Sequence, residues 1–265
     1  MPPVLEAVDV SKAYPRRSGL LRRVVGRVQA VDRVSCAVAP GERVGLVGES
    51  GCGKTTLAKL LIGLLPPTAG EVRIQGAPIV GLRPGALRAA RRAAQFVFQD
   101  PMSSLNPRMT VEEIIGEPLA IHRLGTAADR RARVAELLGA VQLPEAYRPR
   151  LPRELSGGER QRVGIARALA LEPRALICDE PIASLDLSVG TAILRLLRDL
   201  SRRRGMALLF ISHDLRAVAW LCERIAVMRQ GRLVEAGPTP QLLACPQNPY
   251  TTLLLHSAAL DLDAA

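Results

Sequence analysis

Gly48-Glu49-Ser50-Gly51-Cys52-Gly53-Lys54-Thr55 lies between a short apolar run, Arg43-Val44-Gly45-Leu46-Val47, and a stretch from Lys54 to Leu64 whose apolar residues recur at helical spacing and stop before Pro66-Pro67. Strand, glycine-rich loop and helix, in that order, form the setting in which a phosphate loop works. The glycines let backbone N–H groups wrap the β- and γ-phosphates, and the helix aims the positive end of its dipole at them. Lys54 would neutralise the β/γ oxygens, and the Thr55 hydroxyl would sit on Mg²⁺. Lysine occurs only at 12, 54 and 59; every other cationic position is arginine. A compact ammonium fits between phosphate oxygens where a broad guanidinium fork does not. Lysine at 54 therefore favours a working loop.

Two further segments bear on the same chemistry. Ala175-Leu176-Ile177-Cys178-Asp179-Glu180 is an apolar strand ending in two acids. Open α/β sheets bind ligands at the carboxyl ends of their strands. Asp179 would hold Mg²⁺ directly or through water, and Glu180 would polarise the attacking water as general base. Leu155-Ser156-Gly157-Gly158-Glu159 opens a helix carrying Gln161 to Leu169. Ser156 stands at an N-cap position, so alone the segment is a capped helix start. Beside a complete phosphate loop it reads as a second γ-phosphate clamp. One nucleotide does not readily need both glycine clamps from one chain. The economical geometry is a head-to-tail dimer, each ATP held between one chain's phosphate loop and the other's Ser156-Gly157-Gly158.

Along the chain, Val8-Asp9-Val10-Ser11 and Ala30 to Val38 read as strands, with an exposed basic loop from Pro15 to Arg27 between them. Gln95-Phe96-Val97-Phe98 is a short strand. Val111 to His122, Ala127 to Val141 and Gly158 to Leu171 read as helices with no strand between them, so residues from about 100 to 160 are expected to form a helical insertion. Strands resume at Ala175 to Cys178, Ala207 to Ile211 and Ile225 to Met228, with a helix from Ser188 to Arg203 between the first two. Strands alternating with helices predict an α/β fold whose largely parallel sheet is covered on both faces. Leu260 to Ala265 reads as a short loose tail.

Composition narrows the class. At 48% hydrophobic, the 265 residues support a packed core. No apolar run approaches the roughly 20 residues needed to span a bilayer. The start, Met1-Pro2-Pro3-Val4-Leu5-Glu6, carries neither a basic nor an apolar leader region, so a cytoplasmic chain without signal peptide is expected. Cysteines at 36, 52, 178, 222 and 245 lack the paired spacing of a zinc or disulfide site and read as small packed side chains. A net charge of +11 suits nucleic acid, an anionic membrane surface, or an arginine-rich chain with solvated charge. The arginines are dispersed and aromatics make up only 3%, which is poor for base stacking and favours the last.

These motifs, in this order, resemble the ATP-binding subunits of ABC transporters over nearly the whole chain. The resemblance implies a P-loop NTPase core, mostly a parallel sheet with flanking helices plus an N-terminal antiparallel β part, with an inserted helical subdomain. It implies an ATP-binding domain over residues 1–240, with the subdomain at about 100–160, and a short tail over 241–265. The cofactors are then ATP and Mg²⁺. Tyr14, resembling the aromatic that stacks on adenine, and Gly48, Glu49, Ser50, Gly51, Cys52, Gly53, Lys54, Thr55 and Thr56 are the expected ATP-binding residues. Gln99 resembles the glutamine that contacts the Mg²⁺ and water site and couples to the membrane subunit, so Thr55, Gln99 and Asp179 are the expected Mg²⁺ ligands. Glu180, Gln99 and His213, the last resembling a γ-phosphate sensor, are the expected catalytic group. Ser156, Gly157, Gly158 and Glu159 would serve the ATP site of a second subunit, and Asp186, in Ser184-Leu185-Asp186, would communicate across the dimer. Glu159 replaces the family's commoner glutamine, and Pro181-Ile182-Ala183 departs from the usual residues there. Altered interface detail, with hydrolysis retained, is expected.

Phe98-Gln99-Asp100-Pro101-Met102-Ser103-Ser104-Leu105-Asn106-Pro107-Arg108-Met109-Thr110 and Asn248-Pro249-Tyr250-Thr251 resemble the oligopeptide, dipeptide and nickel importer branch. The resemblance implies a subunit peripheral to the cytoplasmic face of the inner membrane. Its partners would be a second ATPase, in a heterodimer rather than a homodimer, two transmembrane permease subunits and, indirectly, a solute-binding protein, with no nucleic acid. Peptides and nickel or metal chelates are the solutes this implies. The rivals are an exporter ATPase and a non-transport ATPase acting on nucleic acid or the ribosome. The latter would bring tandem nucleotide domains, zinc modules or a long coiled coil, and the sequence contains none.

Overall fold

The computed structural model describes the backbone of residues 2–18, 23–100 and 104–260 and the side chains of 2–15, 26–100 and 104–257. Two long strands, β1 (Leu5–Ser18) and β2 (Arg23–Val38), pair antiparallel from Leu5↔Val38 to Ser18↔Arg23. The basic stretch expected as a loop is therefore largely strand, with Pro15↔Arg27 and Arg17↔Val24 in register. Ladder hydrogen bonds come from the backbone, so a pairing fixed at its apolar base continues through polar residues. Residues 19–22 of that stretch lie outside the described residues.

β3 (Arg43–Val47) leads through the glycine loop into α1 (Lys54–Leu61). The helix stops three residues short of Leu64 because Gly63, at φ +68°, turns the chain left-handed. β4 (Ala69–Ile74), β5 (Ala77–Pro78) and α2 (Pro84–Ala90) follow. β4 joins β1, giving a four-stranded antiparallel sheet in the order β2-β1-β4-β5. Its inward residues, among them Leu5, Val10, Val34 and Val72, pack with Leu57 and Leu61 of α1.

β6 (Ala94–Val97) precedes three helices, α3 (Val111–Ile121), α4 (Ala127–Ala140) and α5 (Gly157–Leu169). Thr110, Thr126 and Ser156 cap them, each in a reciprocal capping box with an acid three residues on, Glu113, Asp129 and Glu159. Ile115, Leu137, Leu138 and Ile165 pack together and join the hydrophobic cluster beneath the main sheet. Pro101, Met102 and Ser103, which belong to the branch-specific stretch, lie outside the described residues.

The chain returns as β7 (Ala175–Asp179), then α6 (Leu187–Arg204), β8 (Ala207–Ile211), α7 (Leu215–Leu221), β9 (Arg224–Arg229), β10 (Arg232–Pro238), α8 (Thr239–Ala244) and α9 (Pro249–Leu260). The main sheet runs β10-β9-β3-β8-β7-β6 and is parallel except for its β10 edge. Every residue of β3, β7 and β8 is buried, as a strand covered on both faces requires. The fold is thus an α/β phosphate-loop core with an antiparallel N-terminal part, and its helical excursion leaves and rejoins the sheet at the neighbouring strands β6 and β7. The last residues of the expected tail, 261–265, lie outside the described residues. Cys52, Cys178 and Cys222 are buried, Cys36 is half-buried, and Cys245 is exposed rather than packed.

Candidate functional site

The carboxyl ends of β3 and β7 bring the glycine loop and the acid pair together. Gly48 and Gly53 hold positive φ angles of +148° and +111°, and a Cβ on either would come within 2.2 Å of a backbone oxygen, that of Met228 or Ala30. The loop can take this path only with glycine there. Lys54, at the start of α1, is buried, and its Nζ donates to the Gly48 and Glu49 carbonyls at 2.6 and 2.9 Å. Thr55 Oγ1 donates to Asp179 Oδ1 at 3.0 Å. A cleft of about 490 Å³ is lined by Ser50, Gly51, Gly53, Lys54, Thr55, Thr56, Gln99, Glu180 and His213, with Ala30 at its edge.

Asp179 is only 3% exposed, and burial pushes its carboxyl above the ordinary value, with the charge of Glu180 adding to the shift. A desolvated carboxylate beside a hydroxyl is a donor set that suits a divalent cation, and the buried ammonium nearby suits the phosphates that would accompany it. Mg²⁺ is commonly held by one or two carboxylates and the substrate's own phosphates. The residues present therefore fit a magnesium nucleotide.

Glu180 follows β7 with φ +49°, a left-handed conformation that costs a non-glycine residue about 1 kcal/mol or more. Its N–H donates to the Ile211 carbonyl at 2.9 Å, tying it to the end of β8. Its Oε2 is hydrogen-bonded to His213 Nδ1 at 2.8 Å. Two residues from separate strand ends thus meet over the loop, Glu180 nearly buried and the His213 ring two-thirds exposed.

The remaining expected residues lie elsewhere. Ser156 Oγ accepts the Glu159 N–H at 3.3 Å, and Glu159 Oε2 accepts the Ser156 N–H at 2.7 Å. Glu159 Oε1 accepts the Tyr147 hydroxyl at 2.7 Å, so both carboxylate oxygens are engaged within the chain. Gly157 and Gly158 pack on Leu185 and Val189, and a Cβ at 158 would come 2.3 Å from Val189 Cγ1. Asp186 caps α6 by accepting from Val189 N at 2.9 Å. It lines a larger groove of about 750 Å³ between α6, α7 and α9, which His213 also borders but the glycine loop does not. The larger groove is therefore not the one that holds Lys54 and Thr55. Tyr14 does not line the cleft, and its ring is 38% exposed on β1, with Lys12 Nζ 5.4 Å from its centroid. Sequence reasoning missed the partner roles of Tyr147 and Tyr250. The Tyr250 hydroxyl accepts the Glu49 N–H at 3.1 Å.

The fold and the cleft define a phosphate-loop nucleotide-binding protein. The ABC transporter family model matches residues 31–183. The "Probable peptide ABC transporter ATP-binding protein y4tS" of Sinorhizobium fredii is 48% identical over 96% of this chain and 72% of that protein. The "Glutathione import ATP-binding protein GsiA" of Escherichia coli is also 48% identical, over 96% of this chain but only 41% of that protein. Among solved structures, a dimeric post-hydrolysis state of the ATP-binding cassette MJ0796 bound to ADP and Pi superposes with a TM-score of 0.79 at 31% identity, covering 89% of this chain and 98% of that one. The chain belongs to the ABC transporter family, and it is an ATP hydrolase.

Proposed function

We propose that the chain is the motor subunit of a peptide importer, working at the cytoplasmic face of the membrane with a second ATPase and two permease subunits. The observation that carries the catalytic part is the Glu180–His213 hydrogen bond standing in the same cleft as Lys54 and Thr55. Glu180 polarises the attacking water and takes its proton; His213 orients that carboxylate and reports on the γ-phosphate. Lys54 leaves the loop carbonyls for the phosphate oxygens. Thr55 and Asp179 would hold Mg²⁺, which would supply charge neutralisation at the phosphates, and Gln99 at the cleft wall passes site closure to the permease. Ser156, Gly157 and Gly158 complete the ATP site of the other subunit, which suits their place outside the lining of this chain's own cleft. Glu159 acts from behind them, as the cap that shapes the turn.

The peptide cargo rests on the names borne by relatives that match nearly the whole chain. No helix among the described residues is long and apolar enough to cross a membrane, which fits a subunit that borrows its pore from partners. A heterodimer with a paired ATPase is favoured over a homodimer by the resemblance of the chain to the oligopeptide, dipeptide and nickel importer branch. Two measurements test this reading. Glu180→Gln is expected to bind ATP normally and lose turnover about 100-fold or more, the range of a general base; near-normal phosphate release would remove Glu180 from that role. Uptake by the reconstituted transporter is expected for short peptides; uptake of nickel alone would reassign the cargo.

A further inference from the structure

Asn248-Pro249-Tyr250-Thr251 lies outside the matched family region and has no part in the chemistry above. Its tyrosine nevertheless reaches the phosphate loop. Tyr250, at the start of α9, is 4% exposed, and its hydroxyl accepts the Glu49 N–H at 3.1 Å. That N–H belongs to the Gly48–Glu49 peptide, whose carbonyl, on Gly48, takes the Lys54 ammonium at 2.6 Å. One peptide plane is therefore gripped on its two sides, by Tyr250 and by Lys54.

The grip is anchored away from the loop. Asn248 Oδ1 accepts the Tyr250 N–H at 2.9 Å, and the Glu235 carboxylate on β10 accepts the Gln247 and Asn248 N–H groups at 2.8 and 3.0 Å. The Arg229 guanidinium, at the end of β9, stands 4.7 Å from the Tyr250 ring centroid. These contacts fix the phenol before any ligand arrives. A triphosphate draws Lys54 away, and the peptide then loses one of its two restraints while the other stays.

We infer that Tyr250 is a positioning residue for nucleoside triphosphate binding: its hydroxyl holds the Gly48–Glu49 peptide in place while Lys54 exchanges that peptide for phosphate oxygens. The inference rests on reading Gly48 to Thr55 as the phosphate loop. Tyr250→Phe keeps the ring and its stacking and removes only the hydroxyl. Titration calorimetry of magnesium ATP into the full-length chain is expected to show Kd rising about three- to tenfold in this variant, the span of one net hydrogen bond. KM of the assembled transporter rises in step while kcat holds. Lys54→Ala is the companion, expected to lose ATP affinity outright. Normal affinity in Lys54→Ala would overturn the loop reading and the inference with it. Normal affinity in Tyr250→Phe, beside loss in Lys54→Ala, overturns the inference alone. So does a lowered melting temperature with unchanged Kd, or a fall in kcat with KM unchanged.

Discussion

Glu159 stands where a glutamine is commoner in the family, and its surroundings explain what the extra charge does. Hydrogen bonds from the Ser156 N–H and the Tyr147 hydroxyl hold its carboxyl below the ordinary carboxylate range. A depressed carboxyl contributes stability that is present above the unfolded pKa and lost as pH falls through the folded one. Glu159→Gln keeps one accepting oxygen and removes the charge. The variant is therefore expected to have a lower urea midpoint than wild type at pH 7, with the gap closing below about pH 4. A gap that stays constant with pH would contradict this. At the same scale, Lys54, Thr55 and Glu180 were legible in the sequence, because phosphate chemistry restricts which residue types stand at strand and loop ends, whereas Gln99 and His213, which line the same cleft, were reached only through the family resemblance. Tyr147 and Tyr250 were not legible. Their hydroxyls act on residues 12 and 201 positions away, and no local pattern encodes such a contact.

Elements followed the sequence where burial and caps reinforce each other. The covered strands β3, β7 and β8 are mostly apolar runs buried from end to end, and all three central helices open on a capping box. Thr126→Ala, which breaks the box at the start of α4, is expected to cost about 1 kcal/mol in denaturant unfolding with ATP binding unchanged. An unchanged midpoint would show that α4 is held by packing alone. The β1–β2 ribbon and β4 were less legible. The ribbon runs through charged residues whose pairing depends on backbone alone. In β4, Val72 and Ile74 face inward while Glu71 and Arg73 alternate outward, a period-2 signal too short to stand apart from a loop. Gly53→Ala tests the tightest point between elements. Its Cβ would sit 2.2 Å from the Ala30 carbonyl, at a φ that alanine resists. Loss of ATP affinity together with about 1 kcal/mol or more of stability is expected. Normal affinity would mean that the loop does not need its contact with β2.

At the scale of the whole molecule, the fold places one set of residues around the cleft and another outside its lining. Lys54, Thr55, Glu180 and His213 share the cleft. Ser156 to Gly158 begin α5, a helix of the excursion between β6 and β7, and pack on Leu185 and Val189 instead. Under the proposed function these are two phosphate-recognising surfaces, and the account depends on a second subunit bringing them together. Ser156→Arg tests that dependence most directly, because it puts a large charge at the cap of α5 and changes no residue that lines the cleft. The measurement pairs ATP affinity of the isolated chain with ATP turnover of the assembled transporter. The account predicts unchanged affinity in the isolated variant and lost turnover in the assembly. Weakened ATP binding by the isolated chain, or undiminished turnover in the assembly, would contradict it.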